Sequence, residues 1–280
     1  YLYLTFLKRM SFKDFNLLFL HEPTFYVALI LVFPNYVFEF FKWKLSLKTC
    51  GVHSTSRQSI QSFFAGIITG MLTPNMQGNF IGRIYYFDRK HQIPLISLTL
   101  IGNLAALLVT LVFGVIALYF LGNQSEIHLS PVWITAILSS IVLILTVYFH
   151  FEKLAFARKK WRWFERVSYL MEQHSTFRPL TILWSTCRYL IFTFQFTLLL
   201  HACGLPFSLE IFLSVSSIYF ITTMIPSLLL GKFGVREGVS LTVLSDFSHL
   251  GGSILTASLL VWLINLALPT LIGLIICKKR

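Results

Sequence analysis

Three arginines, Arg83, Arg188 and Arg236, stand within or at the edge of long apolar runs, and Glu237 directly follows the last of them. A guanidinium stays protonated and can grip a phosphate through two parallel hydrogen bonds. An ionisable side chain at membrane depth is a functional candidate by default. Each also has a plainer reading. Arg83 is followed by Arg89 and Lys90, so it could snorkel to headgroups at the interface. Arg188 could bridge helices, and Glu237 could serve only as a structural counter-ion for Arg236 or another arginine. Glu39 lies close to Lys42 and Trp43 and reads as the end of a span. The chemistry these residues suit is anion binding, not catalysis. No acid is paired in sequence with a histidine or a second acid for general acid–base work. No clustered aspartates could hold Mg²⁺, and no histidine-containing phosphatase signature appears near Arg178 and Pro179. No catalytic residue, metal or cofactor is therefore expected. His53, His91, His128 and His249 fall at loop or segment ends, where solvated or capping roles are the default.

Two of the arginines follow similar punctuation. In the first segment Thr73 and Pro74 interrupt an apolar run, and Gly78, Gly82 and Arg83 follow. In the second, Pro226 interrupts the run, followed by Gly231, Phe233, Gly234, Arg236, Glu237 and Gly238. The two orders differ by one inserted residue and read as a degenerate internal repeat. Proline removes a backbone donor and clashes with the preceding turn, so a helix should break at each; glycine permits the reversal. Freed backbone groups cannot face lipid, so this chain must be buried in protein or line a watery cavity. Broken helices in corresponding positions of two halves point to a transporter-type site near the midplane. Helix N-termini after the breaks are expected to offer unpaired N–H groups to an anion.

The elements that would position these residues are membrane spans. The 280 residues are 56% hydrophobic, only 12% charged and 16% aromatic, with 28 Phe, and mean hydropathy is +0.73. A soluble domain carries about 25% charged residues. Spans of about 20 apolar residues are expected over residues 24–41, 94–121, 132–149, 181–203 and 253–277. No stretch is soluble in composition and long enough for a separate domain, so residues 1–280 read as a single membrane domain. The expected fold is all-α and polytopic, a bundle of transmembrane helices. The net charge of +12 sits in short loops, which favours a positive-inside bias over nucleic acid as its cause. Cys50, Cys187, Cys203 and Cys277 have no metal-ligand spacing and read as buried small apolar side chains. The run from Tyr1 reads as the tail of a helix whose start is missing, without a cleavable signal peptide.

Loop charge orients the spans. Residues 122–131, 204–207 and 245–252 hold no Lys or Arg, whereas residues 152–178 hold Lys153, Arg158, Lys159, Lys160, Arg162, Arg166 and Arg178. Basic loops should be cytoplasmic, which puts the C-terminal Lys278, Lys279 and Arg280 inside. Residues 57–91 then begin and end inside, and residues 208–252 begin and end outside. Each must enter and return, so they are expected to form two oppositely inserted re-entrant helical hairpins, an inverted pseudo-repeat, or else two short crossings each. Lys8, Arg9 and Lys13 fall on the wrong side of this scheme. Trp161, Trp163, Phe164 and Tyr169 among the bases of 152–178 suggest a helix in the cytoplasmic headgroup layer.

These segments resemble the transmembrane region of lysylphosphatidylglycerol synthases of the multiple peptide resistance factor type, and the wider flippase-like family. The resemblance rests on Phe41, Lys42 and Trp43, on Leu72, Thr73 and Pro74 with Gly78 and Arg83, and above all on Ile225 and Pro226 leading into Gly231 to Gly238. It covers nearly the whole chain. The family commonly has Gly-Glu where this chain has Gly78 and Asn79, and an extra Gly where it has Leu229 and Leu230. The resemblance implies re-entrant helices and lipid translocation between leaflets of the cytoplasmic (inner) membrane. Family synthases add a cytosolic aminoacyl-transfer domain after this region; the sequence ends at Arg280 without one, so lysyl transfer is not expected. The leading expectation is flipping of an anionic phospholipid or polyprenyl-phosphate-linked lipid, its headgroup held by Arg236, Glu237, Arg83 and Arg188. The alternative is a non-catalytic scaffold subunit of a glycosyltransferase or envelope-assembly complex; a lipid-phosphate enzyme is a third. Expected partners are membrane lipids, with room for a protein partner or homo-oligomer, and no nucleic acid.

Overall fold

The computed structural model describes residues 17–73, 76, 78–122, 131–150, 162–225 and 234–278. Regular structure among them is entirely helical. A 3-10 turn, Leu17–His21, leads into α1 (Pro23–Ile30) and α2 (Val32–Thr49). Then come α3 (Ser56–Met71), α4 (Asn79–Ile84), α5 (Arg89–Gly122), α6 (Pro131–His150), α7 (Arg162–Gln173), α8 (Phe177–Ala202), α9 (Leu209–Met224) and α10 (Val235–Val243). A 3-10 turn, Ser245–Leu250, precedes α11 (Gly251–Trp262), which continues through a π-helical turn, Leu263–Ala267, into α12 (Leu268–Lys278).

Four stretches are long and apolar enough to cross a bilayer: Pro23–Thr49, Arg89–Gly122, Phe177–Ala202 and Gly251–Lys278. They match four of the five spans expected from hydropathy, the 181–203 span ending one residue early at Ala202; the fifth falls in α6, whose described side chains make a shorter apolar helix, Leu138–His150. At 34 residues, α5 is about 51 Å long against a hydrocarbon core of about 30 Å, so it tilts or emerges from the bilayer. Large apolar side chains at 65–76% exposure, such as Phe33, Ile30 and Leu143, make the lipid-facing surface. This is a multi-pass membrane protein.

The helix ends fall where proline and the local caps put them. The Thr55 hydroxyl accepts from the Gln58 N–H to start α3, and Ser208 does the same for α9 through Ile211. Helix α3 ends at Met71, before Pro74, and α9 ends at Met224 with Ile225 extended, as the residue before a proline prefers. Pro74, Pro226 and Gly231 themselves lie outside the described residues. The segment after the first break folds back against α3. Its backbone comes so close that a Cβ on Gly82 would lie 2.1 Å from the Ala65 carbonyl oxygen.

Helix α8 is the hub, packing on α1, α2, α5, α9 and α11. Its Phe196, Leu199 and Leu200 join Ile211, Val215, Ile218, Ile254, Ala257 and Val261 in the main core, all fully buried. The contacts repeat between halves. The pair α3–α4 matches α9–α10, α3 packs on α12 as α9 packs on α5, and α2 and α8 face each other. At the α5–α9 contact Gly114 lets Phe220 approach, since a Cβ there would sit 2.4 Å from the Phe220 Cβ.

Helix α7 lies within the basic segment expected in the headgroup layer, and it packs on its own protein. Its Phe164, Val167 and Met171 are buried, and Val167 and Met171 pack with Leu98 and Phe177. Much of its apolar face is covered by protein, leaving Tyr169 exposed.

Candidate functional site

The strongest charge constellation is built on α2. Asn35, Glu39, Lys42, Ser46 and Thr49 are all buried, and their spacing of four and three places them on one helical face. The helix thus turns its polar stripe inward and Phe33 and Phe41 outward, the reverse of an amphipathic helix in water. Glu39 is the centre. One carboxylate oxygen accepts from Arg83 Nη2 at 3.1 Å. The other accepts from Lys42 Nζ and Arg188 Nη1, each at 3.2 Å. Three cations thus face one carboxylate, a net charge of +2.

Each cation is held by a different element. Lys42 lies one turn beyond Glu39 on α2. Arg83 comes from α4, carried inward by the close α3–α4 contact, with its guanidinium carbon 5.2 Å from the Trp43 ring and 5.5 Å from the Phe63 ring. Arg188 comes from α8, and its Nε donates to Asn35 Oδ1 at 3.0 Å. Asn35 in turn donates to Asn265 Oδ1 at 3.0 Å, and the Tyr36 hydroxyl donates to the Asn265 carbonyl oxygen. That carbonyl belongs to the π-helical turn, a local widening often found at functional sites. Arg83 and Lys42 are 4–5% exposed, whereas 37% of the Arg188 side chain is exposed. A polar cavity of about 10 Å³ adjoins the cluster, lined further by Ser46, Thr99, Asn103 and Thr181. That is room for about one water.

The second constellation is smaller and electrically balanced. Arg236 and Glu237 occupy the first turn of α10 and are buried. Arg236 Nε lies 3.9 Å from Glu237 Oε1, and the guanidinium sits beside the Tyr219 phenol of α9. Glu237 Oε2 accepts from the Gly234 N–H at 2.7 Å. Gly234 is the N-cap with φ of +83°, a left-handed conformation that favours glycine. Among the described residues no hydrogen bond or ion pair joins this group to the Glu39 cluster.

Several expectations need correction. Arg83 does not snorkel to the interface; it is buried against Glu39. Arg188 does bridge α8 to α2, but as part of the charge cluster. Glu39 is no span-end residue; it organises the site. Val235 to Gly238 form the first turn of α10, where Gly238 N–H donates to Gly234 O. Three N–H groups near the starts of α4 and α10 are served by side chains of the protein itself. Thr73 Oγ1 accepts from Gly78 N at 2.8 Å and Thr69 Oγ1 from Gly82 N at 3.1 Å, while Glu237 serves Gly234. Asn79, standing where the resemblance expects a carboxylate, pairs reciprocally with Asn103 at 3.2–3.3 Å. Among the described residues no three His, Cys, Asp or Glu side chains converge to hold a metal.

Lys42, Asn35, Asn265 and the true place of Glu39 were missed in the sequence. The inward polar stripe of α2 was the available signal: an acid, a base and an amide at helical spacing inside an apolar run. Comparison with curated proteins and with solved structures gives no match. The family model described as "Lysylphosphatidylglycerol synthase TM region" matches residues 1–273, nearly the whole length, so the chain belongs to that family.

Proposed function

We propose that this protein moves an anionic lipid, a phospholipid or a polyprenyl-phosphate-linked carrier, between the leaflets of the cytoplasmic membrane, acting as a transporter and not as an enzyme. The observation that carries this reading is the uncompensated charge at Glu39. Two unbalanced positive charges inside a membrane bundle are costly, and a phosphate bound by Arg83, Lys42 and Arg188 would neutralise them. Bidentate guanidinium contacts suit a phosphate ester, and the lipid tails would stay in the bilayer. The partly exposed Arg188 is the natural first contact. The adjoining cavity is too small for a headgroup, so admission requires α4 or α8 to shift, as expected of an alternating-access carrier.

In this reading the α3–α4 and α9–α10 pairs enter the bilayer from opposite faces, and the C-terminus is cytoplasmic. Arg236 and Glu237 take part at the second pair. The test is translocation of fluorescent headgroup-labelled lipids in proteoliposomes. The wild type is expected to move anionic lipids faster than zwitterionic ones, and Arg236→Ala and Lys42→Met to slow that movement with the fold intact. Unchanged transport in both variants, or no anionic lipid moved by the wild type, would overturn the proposal.

A further inference from the structure

One face of α8 carries Thr181, Ser185, Tyr189 and Thr193, each four residues after the last and all buried. Four-residue steps make a stripe that winds slowly round a helix, and this one climbs about 18 Å along the axis. Its lower end, Thr181, lines the cavity beside Lys42 and Arg83. Higher up, Tyr189 lies beside Ser216 of α9 and beside Thr193, and its ring centroid is 6.4 Å from that of Tyr219. Tyr219 in turn lies beside Arg236. The stripe therefore runs from the Glu39 cluster to the Arg236–Glu237 pair.

Buried polar atoms without a hydrogen-bond partner among the described residues also occur at Thr24, Thr49 and Ser168, but they gather along this stripe. Ser185 Oγ is buried without a hydrogen-bond partner among the described residues, and Tyr189 Oη, Thr193 Oγ1, Tyr219 Oη, Arg236 Nε and Glu237 Oε1 lie beside other polar groups without making a well-aligned hydrogen bond. Most buried serines and threonines elsewhere donate to the carbonyl one turn back, as Thr197 and Thr222 do. A buried polar atom without a partner is destabilising and calls for an explanation. Four such side chains, Ser185, Tyr189, Thr193 and Tyr219, lying between two charged sites are the composition of a passage lined for hydrogen bonding.

We infer that this stripe is a hydrated track along which the phosphate-bearing headgroup passes between the two charged sites. The inference rests on the translocation reading and adds a route to it. Hydroxyls offer hydrogen bonds at successive turns without a fixed charge that would trap the phosphate midway. The track joins a site of net charge +2 to a balanced one, so the phosphate is held tightly at Glu39 and released at Arg236.

The test uses the full-length protein with Cys50, Cys187, Cys203 and Cys277 replaced by serine. Ser185→Cys, Thr193→Cys and a lipid-facing control, Leu190→Cys, are each exposed in proteoliposomes to a charged methanethiosulfonate, which needs water to react. Ser185→Cys and Thr193→Cys are expected to react at least tenfold faster than the control, and to be protected by anionic but not zwitterionic lipid. In parallel, Ser185→Leu is expected to cut translocation at least tenfold while anionic-lipid binding in detergent stays within twofold of wild type. Unreactive cysteines with translocation intact would overturn the track alone. Reactive cysteines in a protein that moves no lipid would overturn the cargo, and with it the translocation reading. Full transport by Ser185→Leu would also overturn the track.

Discussion

Replacing Glu39 with glutamine keeps the shape of the side chain and removes its charge. Three cations lose their shared counter-ion and one of its two acceptor oxygens: Arg83 at 3.1 Å, Lys42 at 3.2 Å and Arg188 at 3.2 Å. The net charge of the site rises from +2 to +3. Removing one partner of a buried ion pair costs about 3–5 kcal/mol. Arg188 is partly exposed, so its share is small, and Arg83 and Lys42 carry most of the loss. At roughly 2–4 °C per kcal/mol for a chain of this size class, the midpoint in detergent should fall by on the order of 10 °C. Tryptophan fluorescence and monodispersity on heating would report it, since Trp43 stacks near Arg83. Adding Lys42→Met removes one stranded cation and should recover part of the loss, with a coupling of about 0.5–3 kcal/mol between the two sites. A Glu39→Gln midpoint within about 2 °C of wild type, or a double variant less stable than Glu39→Gln alone, would refute the claim that Glu39 clamps buried cations.

Other consequences follow from packing. Gly82→Val should separate α3 from α4 and cost more than about 1–3 kcal/mol, the usual price of overpacking, because the obstacle is the Ala65 backbone; thermal melting checks it. Gly234→Ala must hold a φ of +83°, and should lose about 1–2 kcal/mol, read as a lowered melting midpoint. Asn265→Ala removes the acceptor of Asn35, which frees Asn35 from its hold on Arg188. We expect a loss of about 1–3 kcal/mol and weaker anionic-lipid binding by equilibrium titration, whereas Asn265→Asp should retain the acceptor and more of the stability.

Much of the helical frame was legible because hydropathy over about 20 residues is a strong signal. The ends of α3 and α9 were legible for a local reason, the prolines that follow them. The charge cluster was only half legible. Arg83 and Arg188 stood out as bases in apolar surroundings, but nothing in their separation along the chain says that they meet. Their meeting depends on the close α3–α4 approach at Gly66 and Gly82 and on α2 packing against α8, both tertiary facts. Glu39 was misread because three neighbouring lysines, Lys42, Lys44 and Lys48, resemble an interface. The structure separates them: Lys42 is buried with Glu39, while Lys44 is exposed. The apparent loss of a carboxylate at Asn79 also looks different in three dimensions, because the acid that meets Arg83 comes from α2.

The central claim is that a lipid phosphate neutralises the Glu39 cluster. Solid-state NMR on the protein in anionic liposomes, with ¹⁵N in arginine and lysine side chains, measures nitrogen-to-phosphorus proximity directly. The account predicts dephasing by ³¹P of the Arg83 and Lys42 nitrogens at about 4 Å, the separation set by a charge-assisted N–H···O–P contact, with assignments fixed by Arg83→Lys and Lys42→Met. Phosphorus found only near surface bases such as Lys44 and Lys48, with Arg83 and Lys42 undephased in every anionic lipid, would contradict it.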